Sequence, residues 1–162
     1  MNTTYLSLGS NLGDKLQNLQ QAIQLIEKEI GTVVKVSGIY VTAAWGNTSQ
    51  PDFANQTLYV QTSLSPTDLL HKIVAIEKKL GRIRDQQKWK ERIIDIDILF
   101  YNDVIINTPD LTIPHPYIQD RQFVLIPLLD IAPDFIHPIF NKKVKKLLEE
   151  CTDVLEVNRL EQ

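Results

Sequence analysis

Two acidic residues, Asp95 and Asp97, alternate with isoleucine in segment 93–101. Alternation with a period of two predicts a β-strand that carries both carboxylates on one face and apolar residues on the other. Carboxylates two positions apart on a strand lie about 7 Å apart, and they repel each other unless a cation lies between them. A divalent metal ion with oxygen ligands would relieve this repulsion. The residues of the apolar face are Ile94, Ile96, Ile98 and Phe100.

The segment just before this strand, residues 82–92, is basic, with five cationic and two acidic side chains around Trp89. Guanidinium groups bind phosphate oxygens through paired hydrogen bonds, so this segment and the two carboxylates together could hold a polyphosphate and its metal ion. Each pattern alone has a simpler interpretation, because edge strands have solvated acidic faces and basic runs are often solvated loops. Their adjacency favours the metal and phosphate site. The cations are Arg82, Arg84, Lys88, Lys90 and Arg92.

The composition is that of a single globular domain over residues 1–162. The chain has 162 residues, of which 43% are hydrophobic, which is enough for one substantial core. Its net charge of -3 lacks the basic balance of nucleic-acid-binding proteins. The positive charge of segment 82–92 is therefore local, which favours a small anionic ligand over a long polyanion.

Cys151 is the only cysteine, so no disulfide can form within the chain and a reducing compartment is expected. It follows a run that predicts a helix, and we expect no catalytic role for it. The N-terminus has no basic start followed by a long apolar run, and no segment is apolar enough to span a membrane. We expect a cytoplasmic monomer with no membrane or nucleic-acid partner.

Hydrophobic periodicity predicts the order strand, helix, strand, strand, helix, strand over the first hundred residues. This order is the ferredoxin-like plan, an α+β fold with an antiparallel sheet, and additional helices follow Arg121. The sequence GSNLGDK after the first strand lacks the spacing of a Walker phosphate loop, so we interpret it as a turn that caps the first helix. The predicted strands cover residues 4–8, 33–40, 53–64 and 93–101.

An irregular loop over residues 42–52 contains Trp45 and leads into Phe53 and Asn55. Two aromatic rings and an amide could bind a flat heterocycle through stacking and edge hydrogen bonds. Alternatively, the two rings simply cover the edge of the core. Glu77, near the apolar stripe of the second helix, could pair with a lysine or contact a ligand.

His115 lies between Pro114 and Pro116, which stiffen the backbone and hold the imidazole ring in one place. A rigid histidine beside a metal and phosphate site can donate a hydrogen bond to a phosphate oxygen. His71 and His137 have no such setting, and we interpret both as structural. Arg121 and Phe123 open the next predicted helix, where their side chains can lean over a neighbouring cleft.

Taken together, these segments resemble the 6-hydroxymethyl-7,8-dihydropterin pyrophosphokinases of folate biosynthesis. The resemblance implies that the pterin hydroxymethyl oxygen attacks the β-phosphorus of ATP, that AMP leaves, and that the pterin diphosphate forms. ATP and the pterin alcohol would be the substrates. The segments that carry the resemblance are YLSLGSNLGD, QPDFAN, LGRIRDQQKWKERIIDIDILFYND and LTIPHPYIQDRQFVLIPLLDIAPDF.

The resemblance also assigns roles to individual residues. Asp95 and Asp97 would hold two magnesium ions, and Arg82 and Arg92 would complete the catalytic set as the loop of residues 82–89 closes. The ATP-binding residues would be Glu77, Arg82, Arg84, Trp89, Arg92, Ile98, Thr112, His115 and Arg121. The pterin-binding residues would be Thr42, Ala43, Trp45, Phe53, Asn55, Trp89 and Phe123. Phe53 stands where the family commonly has tyrosine.

Two other classes of protein fit parts of the pattern. A ferredoxin-like RNA-binding module would need aromatic residues and positive charge on the sheet face, whereas the predicted face here carries Asp95 and Asp97. A metal-dependent nucleotidyltransferase shares the paired carboxylates but releases pyrophosphate. The reaction product separates these hypotheses, because only the pyrophosphokinase releases AMP.

Overall fold

The structure, a computed structural model, describes residues 1–43, 51–81 and 93–161. Trp45 and the whole basic segment 82–92 lie outside the described residues. The predictions for Arg82, Arg84, Trp89 and Arg92, and for closure of the loop that carries them, therefore remain predictions.

One large antiparallel sheet organises the described part of the chain. Its strands follow the order β5-β1-β4-β3-β8, and β2 also pairs with β4. The expected α+β class with an antiparallel sheet and further helices is confirmed. The strands are β1 (Asn2–Ser10), β2 (Gly31–Val36), β3 (Tyr40–Thr42), β4 (Phe53–Thr62), β5 (Asp95–Tyr101), β6 (Ile106–Asn107), β7 (Thr112–Ile113) and β8 (Val157–Arg159). The helices are α1 (Lys15–Glu29), α2 (Pro66–Lys79), α3 (Gln122–Ile131) and α4 (Val144–Glu150), with a 3₁₀ turn at Ile118–Asp120.

The first two helices begin at side-chain caps. The amide of Gln17 donates to Oδ1 of Asp14 over 3.1 Å, so the GSNLGDK turn caps α1 as predicted. Ser65 caps α2 in the same way, since its hydroxyl accepts from the amide of Asp68 over 3.2 Å. Leu16, however, is 44% exposed and does not belong to the buried stripe of α1. Among the described residues, no helix combines the length and apolarity needed to cross a membrane.

The sheet has a core on each face. Helices α1 and α2 pack on one face, where Leu6, Leu58 and Ile96 belong to a core of aliphatic side chains. Helices α3 and α4 pack on the other face around the aromatic residues Tyr5 and Phe100. Because both faces carry packed helices, strands β1, β4 and β5 are held between two layers.

The predicted alternation of β5 holds from Ile94 to Ile98 and then fails. Leu6 pairs with Ile98 while its neighbour Tyr5 pairs with Phe100, so Leu99 is an extra residue in a β-bulge. The bulge turns Phe100 to the face of α3 and α4, where it packs in the second core together with Leu99. The prediction that Phe100 shares a face with the isoleucines was therefore wrong.

Two features of the sheet differ from the predicted strands. The strand expected over residues 33–40 is divided into β2 and β3, because Ser37 leaves the ladder to bond with Thr57 through both its amide and its hydroxyl. The C-terminal tail, for which the sequence analysis predicted no strand, forms β8 and pairs with β3. The sheet is therefore wider than its sequence pattern indicates.

Candidate active site on one half of the sheet face

Three rows of residues cross strands β4, β1 and β5 on the face that α3 and α4 partly cover. The register aligns Asn55 with Gly9 and Asp95, then Thr57 with Ser7 and Asp97. The third row contains Tyr59, Tyr5 and Phe100 and is packed in the aromatic core. One half of this face is thus covered by helices, while Asp95, Asp97 and Ser7 in the other half are only half-buried.

Asp95 and Asp97 lie on one face of β5, as predicted, with Ile94, Ile96 and Ile98 buried in the opposite core. Their carboxylate oxygens suit Mg²⁺, which favours oxygen ligands and is usually bound through one or two carboxylates plus substrate phosphates. Among the described residues, no three histidine, cysteine or acidic side chains gather as a metal cage. A Mg²⁺ ion held by these two carboxylates would need further oxygen ligands, such as those of substrate phosphates and water.

Glu77 reaches β5 from helix α2. Its side chain is 1% exposed, and Oε2 accepts a hydrogen bond of 2.9 Å from the amide of Ile96, the residue between the two aspartates. Three residues further along, the carbonyl of Leu99 accepts from the amide of His115 over 3.0 Å. Both bonds satisfy backbone groups on the outer edge of β5 and fix the position of the strand that carries the carboxylates.

The imidazole of His115 is neutral at physiological pH. Burial lowers its pKa to about 4; the nearby charge of Arg121 acts in the same direction, and Asp95 opposes both. Nδ1 accepts a hydrogen bond of 3.2 Å from the amide of Tyr117, which assigns the remaining proton to Nε2. His115 can therefore donate a hydrogen bond through Nε2, and its predicted bond to a phosphate oxygen stays a prediction.

Arg121 lies at the start of α3, close to both aspartates. Burial lowers the pKa of its guanidinium, while the charges of Asp97 and Asp95 act to raise it. The guanidinium carbon lies 4.9 Å from the ring centroid of Tyr117 and 5.6 Å from that of Phe123. These rings hold a permanent positive charge beside the acidic pair. Sequence reasoning missed Tyr117, although a tyrosine two residues after His115 was a possible signal.

Four of the predicted pterin-binding residues lie on or beside β3 and β4, namely Thr42, Ala43, Phe53 and Asn55. Thr42 pairs with Phe53 in the sheet, and Asn55 is buried with its Nδ2 donating to the carbonyl of Tyr40 over 3.4 Å. The hydroxyl of Thr42 is buried and has no hydrogen-bond partner among the residues that the structure describes. Phe53 and Ala43 are half-buried and so remain accessible in part.

Two predicted ATP-binding residues lie apart from this group. The side chain of Ile98 is buried in the core on the α1 and α2 face, so only its backbone is available to a ligand on the face of Asp95. Thr112 is exposed on the short strand β7, where it pairs with Asn107. Its strand lies close to β5 and leads into the loop of His115.

The GSNLGDK turn supports the β4 end of the site, a role that sequence reasoning did not foresee. Nδ2 of Asn11 donates to the carbonyl of Pro51 over 3.1 Å, and Nζ of Lys15 donates to the carbonyl of Asp52 over the same distance. These bonds hold the chain immediately before Phe53. The turn therefore acts on the site through the backbone of residues 51–52.

The fold and this site define an α+β protein with an acidic ligand site on one half of an antiparallel sheet. The family model of 7,8-dihydro-6-hydroxymethylpterin-pyrophosphokinase matches residues 5–133. The 2-amino-4-hydroxy-6-hydroxymethyldihydropteridine pyrophosphokinase of Aquifex aeolicus is 45% identical over 152 residues, which are 94% of each chain. The enzyme of the same name from Synechocystis is 43% identical over 94% of this chain and 78% of its own.

The chain belongs to the 7,8-dihydro-6-hydroxymethylpterin-pyrophosphokinase family. A solved structure of Plasmodium falciparum HPPK-DHPS has the same fold, with a TM-score of 0.76 and 21% sequence identity over 92% of this chain. This chain spans only 45% of the Plasmodium chain. The family suggested by the sequence resemblance is therefore confirmed.

Proposed function

We propose that this chain transfers pyrophosphate from ATP to the hydroxymethyl group of 6-hydroxymethyl-7,8-dihydropterin, giving AMP and the pterin diphosphate. Family membership supports this activity, and so do the names of relatives that match almost the whole chain. The observation that carries the proposal is the grouping of Asp95 and Asp97 with the charge of Arg121 and the neutral imidazole of His115. Pyrophosphoryl transfer needs these two kinds of group, acidic side chains for metal and donors for phosphate.

In this proposal the acidic residues bind the metal ions, and the hydrogen-bond donors bind the triphosphate directly. Asp95 and Asp97 would hold two magnesium ions, which neutralise phosphate charge and polarise its oxygens when bound. Arg121 supplies a fixed positive charge to the phosphates, and Nε2 of His115 donates a hydrogen bond to a phosphate oxygen. Positioning and charge stabilisation of this kind provide most of the acceleration in phosphoryl-type transfer.

The pterin occupies the β3 and β4 end of the site in this proposal. Phe53 and Phe123 stack on the two faces of the ring, as aromatic pairs do on flat ligands. Asn55, Thr42 and the backbone at Ala43 bind its polar edge. The buried hydroxyl of Thr42, which has no partner in the described part of the chain, supports this arrangement because a ligand would supply one.

The residues outside the described part keep the roles that the sequence predicts. Arg82, Arg84 and Arg92 contact the phosphates, Trp89 helps to seal the site, and the backbone at Trp45 binds the polar edge of the pterin. Among the described residues, the remaining contacts to ATP come from Glu77, Thr112 and the backbone of Ile98.

The finer description of the protein belongs to the same proposal. The helix and strand order through β1, α1, β2, β4, α2 and β5, with strands arranged as β5-β1-β4-β2, supports a ferredoxin-like core. A cytoplasmic location and a monomeric state remain proposals that rest on the single cysteine and on the size of the chain.

Identification of the nucleotide product tests this function. The protein is incubated with ATP, magnesium and 6-hydroxymethyl-7,8-dihydropterin, and the nucleotides are separated by chromatography. We expect AMP in amounts equal to the pterin diphosphate, and none when the pterin is omitted. ADP as the product, or released pyrophosphate, would refute the proposal and favour another phosphoryl or nucleotidyl transfer.

A further inference from the structure

Gly9 lies at the centre of the site without any assigned role. It is buried in the central strand β1, where the register pairs it with Asn55 of β4 on one side and Asp95 of β5 on the other. Neighbouring strands are about 4.8 Å apart. Gly9 therefore lies between Asn55, which we propose to bind the pterin, and Asp95, which we propose to bind metal, with each of them on a strand next to β1.

The backbone of Gly9 does not itself require glycine. The glycines with left-handed backbone among the described residues are Gly13 and Gly81, so Gly9 has a conformation that alanine can adopt. Glycine inside a regular strand destabilises a protein by about 0.5–1 kcal/mol relative to alanine. A glycine retained at such a position often marks a place where a ligand or another group approaches the backbone closely.

The side chains of Asn55 and Phe53 leave little room for a side chain at Gly9. A Cβ atom at this position would lie 3.3 Å from Oδ1 of Asn55 and 3.4 Å from Cδ1 of Phe53. The contact with Oδ1 of Asn55 is tighter than ordinary van der Waals separation, so the Asn55 amide would have to shift by a few tenths of an ångström. The contact with the Phe53 ring is at the lower limit of ordinary separation, so the ring has little room to move towards Gly9. These are the two residues of β4 that we propose to bind the pterin.

We propose that Gly9 is a positioning residue of the pterin pocket. Its missing side chain sets the positions of the Phe53 ring and the Asn55 amide together, and it leaves the sheet surface flat between Asn55 and Asp95. The hydroxymethyl arm must cross this surface to bring its oxygen from the pterin end to the phosphate end. This inference rests on the proposed function.

Gly9→Ala tests the inference, with Gly38→Ala as the matched control. The three atoms nearest to a Cβ at Gly38 belong to the guanidinium group of Arg159, each at 3.0 Å, and this group is the tip of a long side chain. Three quantities are measured for each variant: the melting temperature, the KM for the pterin alcohol, and the KM for ATP, both with AMP as the product. Direct binding of the pterin alcohol in the presence of a non-hydrolysable ATP analogue gives an independent readout.

For Gly9→Ala we expect a melting temperature equal to or above that of the wild type, because alanine is the better strand residue. We expect the pterin KM and dissociation constant to rise at least about fivefold, which corresponds to about 1 kcal/mol, while the ATP KM stays within about twofold. Gly38→Ala should match the wild type in both KM values.

Each other outcome overturns the inference. Equal losses in pterin and ATP affinity, or a variant that melts early or does not fold, would assign Gly9 to the fold alone. Unchanged pterin affinity would show that Phe53 and Asn55 adjust without cost. Wild-type protein that binds ATP but not the pterin alcohol would instead refute the proposed function, and this inference with it.

Discussion

A buried histidine with no role in the proposed site gives a prediction about stability and pH. His137 is 1% exposed, and its Nδ1 accepts hydrogen bonds from the amides of Ile139 (3.1 Å) and Phe140 (3.3 Å). The rings of Phe100 and Phe140 lie against it, with centroids at 5.4 Å and 4.6 Å. Its Nε2 is buried with no hydrogen-bond partner in the described part of the chain. This environment disfavours a charged imidazole.

Burial lowers the pKa of His137 from 6.5 to about 4. Between these two values the unfolded chain binds a proton that the folded protein does not, so the free energy of unfolding falls as the pH falls from about 6.5 towards 4. Above pH 6.5 the contribution is constant. At pH 5 this linkage removes about 2 kcal/mol of stability relative to neutral pH, and the full shift of about 2.5 units sets an upper limit of about 3 kcal/mol.

His137→Asn removes the titration and keeps the hydrogen bonds, because Oδ1 of asparagine can take the place of Nδ1. Urea unfolding, followed by far-ultraviolet circular dichroism at pH 7.5 and pH 5.0, gives the free energy of unfolding for each protein. The wild type should lose about 2 kcal/mol more than His137→Asn between these pH values. His115 titrates alike in both proteins and cancels in the comparison.

His71→Asn is the matched control, since His71 is exposed on helix α2. This variant leaves the environment of His137 intact, so the loss of about 2 kcal/mol between pH 7.5 and pH 5.0 should persist in it. Parallel stability curves for the wild type and His137→Asn would refute the reasoning, because they would mean that His137 binds its proton equally in the folded and unfolded states. A larger loss in His137→Asn would refute it as well.

The remaining predictions concern strand β5. Asp97→Ala should lower kcat for AMP formation by about a thousandfold, because loss of a metal ligand removes about 4 kcal/mol of transition-state stabilisation; Asp103→Ala, the same charge change at an exposed turn, should not. Retained turnover at ordinary magnesium would exclude Asp97 as a ligand. Glu77→Gln keeps an acceptor for the Ile96 amide and should retain most activity. Glu77→Leu leaves that buried amide unsatisfied, at a cost of about 1–3 kcal/mol in stability. It should therefore raise the magnesium concentration needed for half-maximal activity. If Glu77→Gln loses as much activity as Glu77→Leu at an unchanged melting temperature, the charge of Glu77 binds the nucleotide directly.

Local patterns predicted the parts of the site that lie on one strand or one turn. The alternation of Asp95 and Asp97 with isoleucine was sufficient to assign the faces of β5 as far as Ile98, because one buried face fixes the register of a strand. The cap at Asp14 and the rigid setting of His115 were equally local. Each of these depends on residues within a few positions in the sequence.

The features that were missed depend on contacts between distant segments. The bulge at Leu99 is stabilised where the amide of His115 bonds to the Leu99 carbonyl and where Phe100 joins the aromatic core, and neither partner is visible in the pattern of β5 itself. Strand β8 forms because β3 offers it an edge, although only three residues pair. The proposed role of Gly9 follows only from the strand register, which aligns it with Asn55 and Asp95.

The bulge at Leu99 also explains how one sheet face serves both packing and chemistry. Before the bulge, β5 presents Asp95 and Asp97 to this face; after it, Leu99 and Phe100 enter the core beneath α3 and α4. Helix α3, anchored by that core, begins at Arg121, so its first turn extends from the packed half towards the acidic pair. The proposed phosphate-binding groups are thus attached to a rigid core on both sides, and rigid support of this kind is what positional catalysis requires.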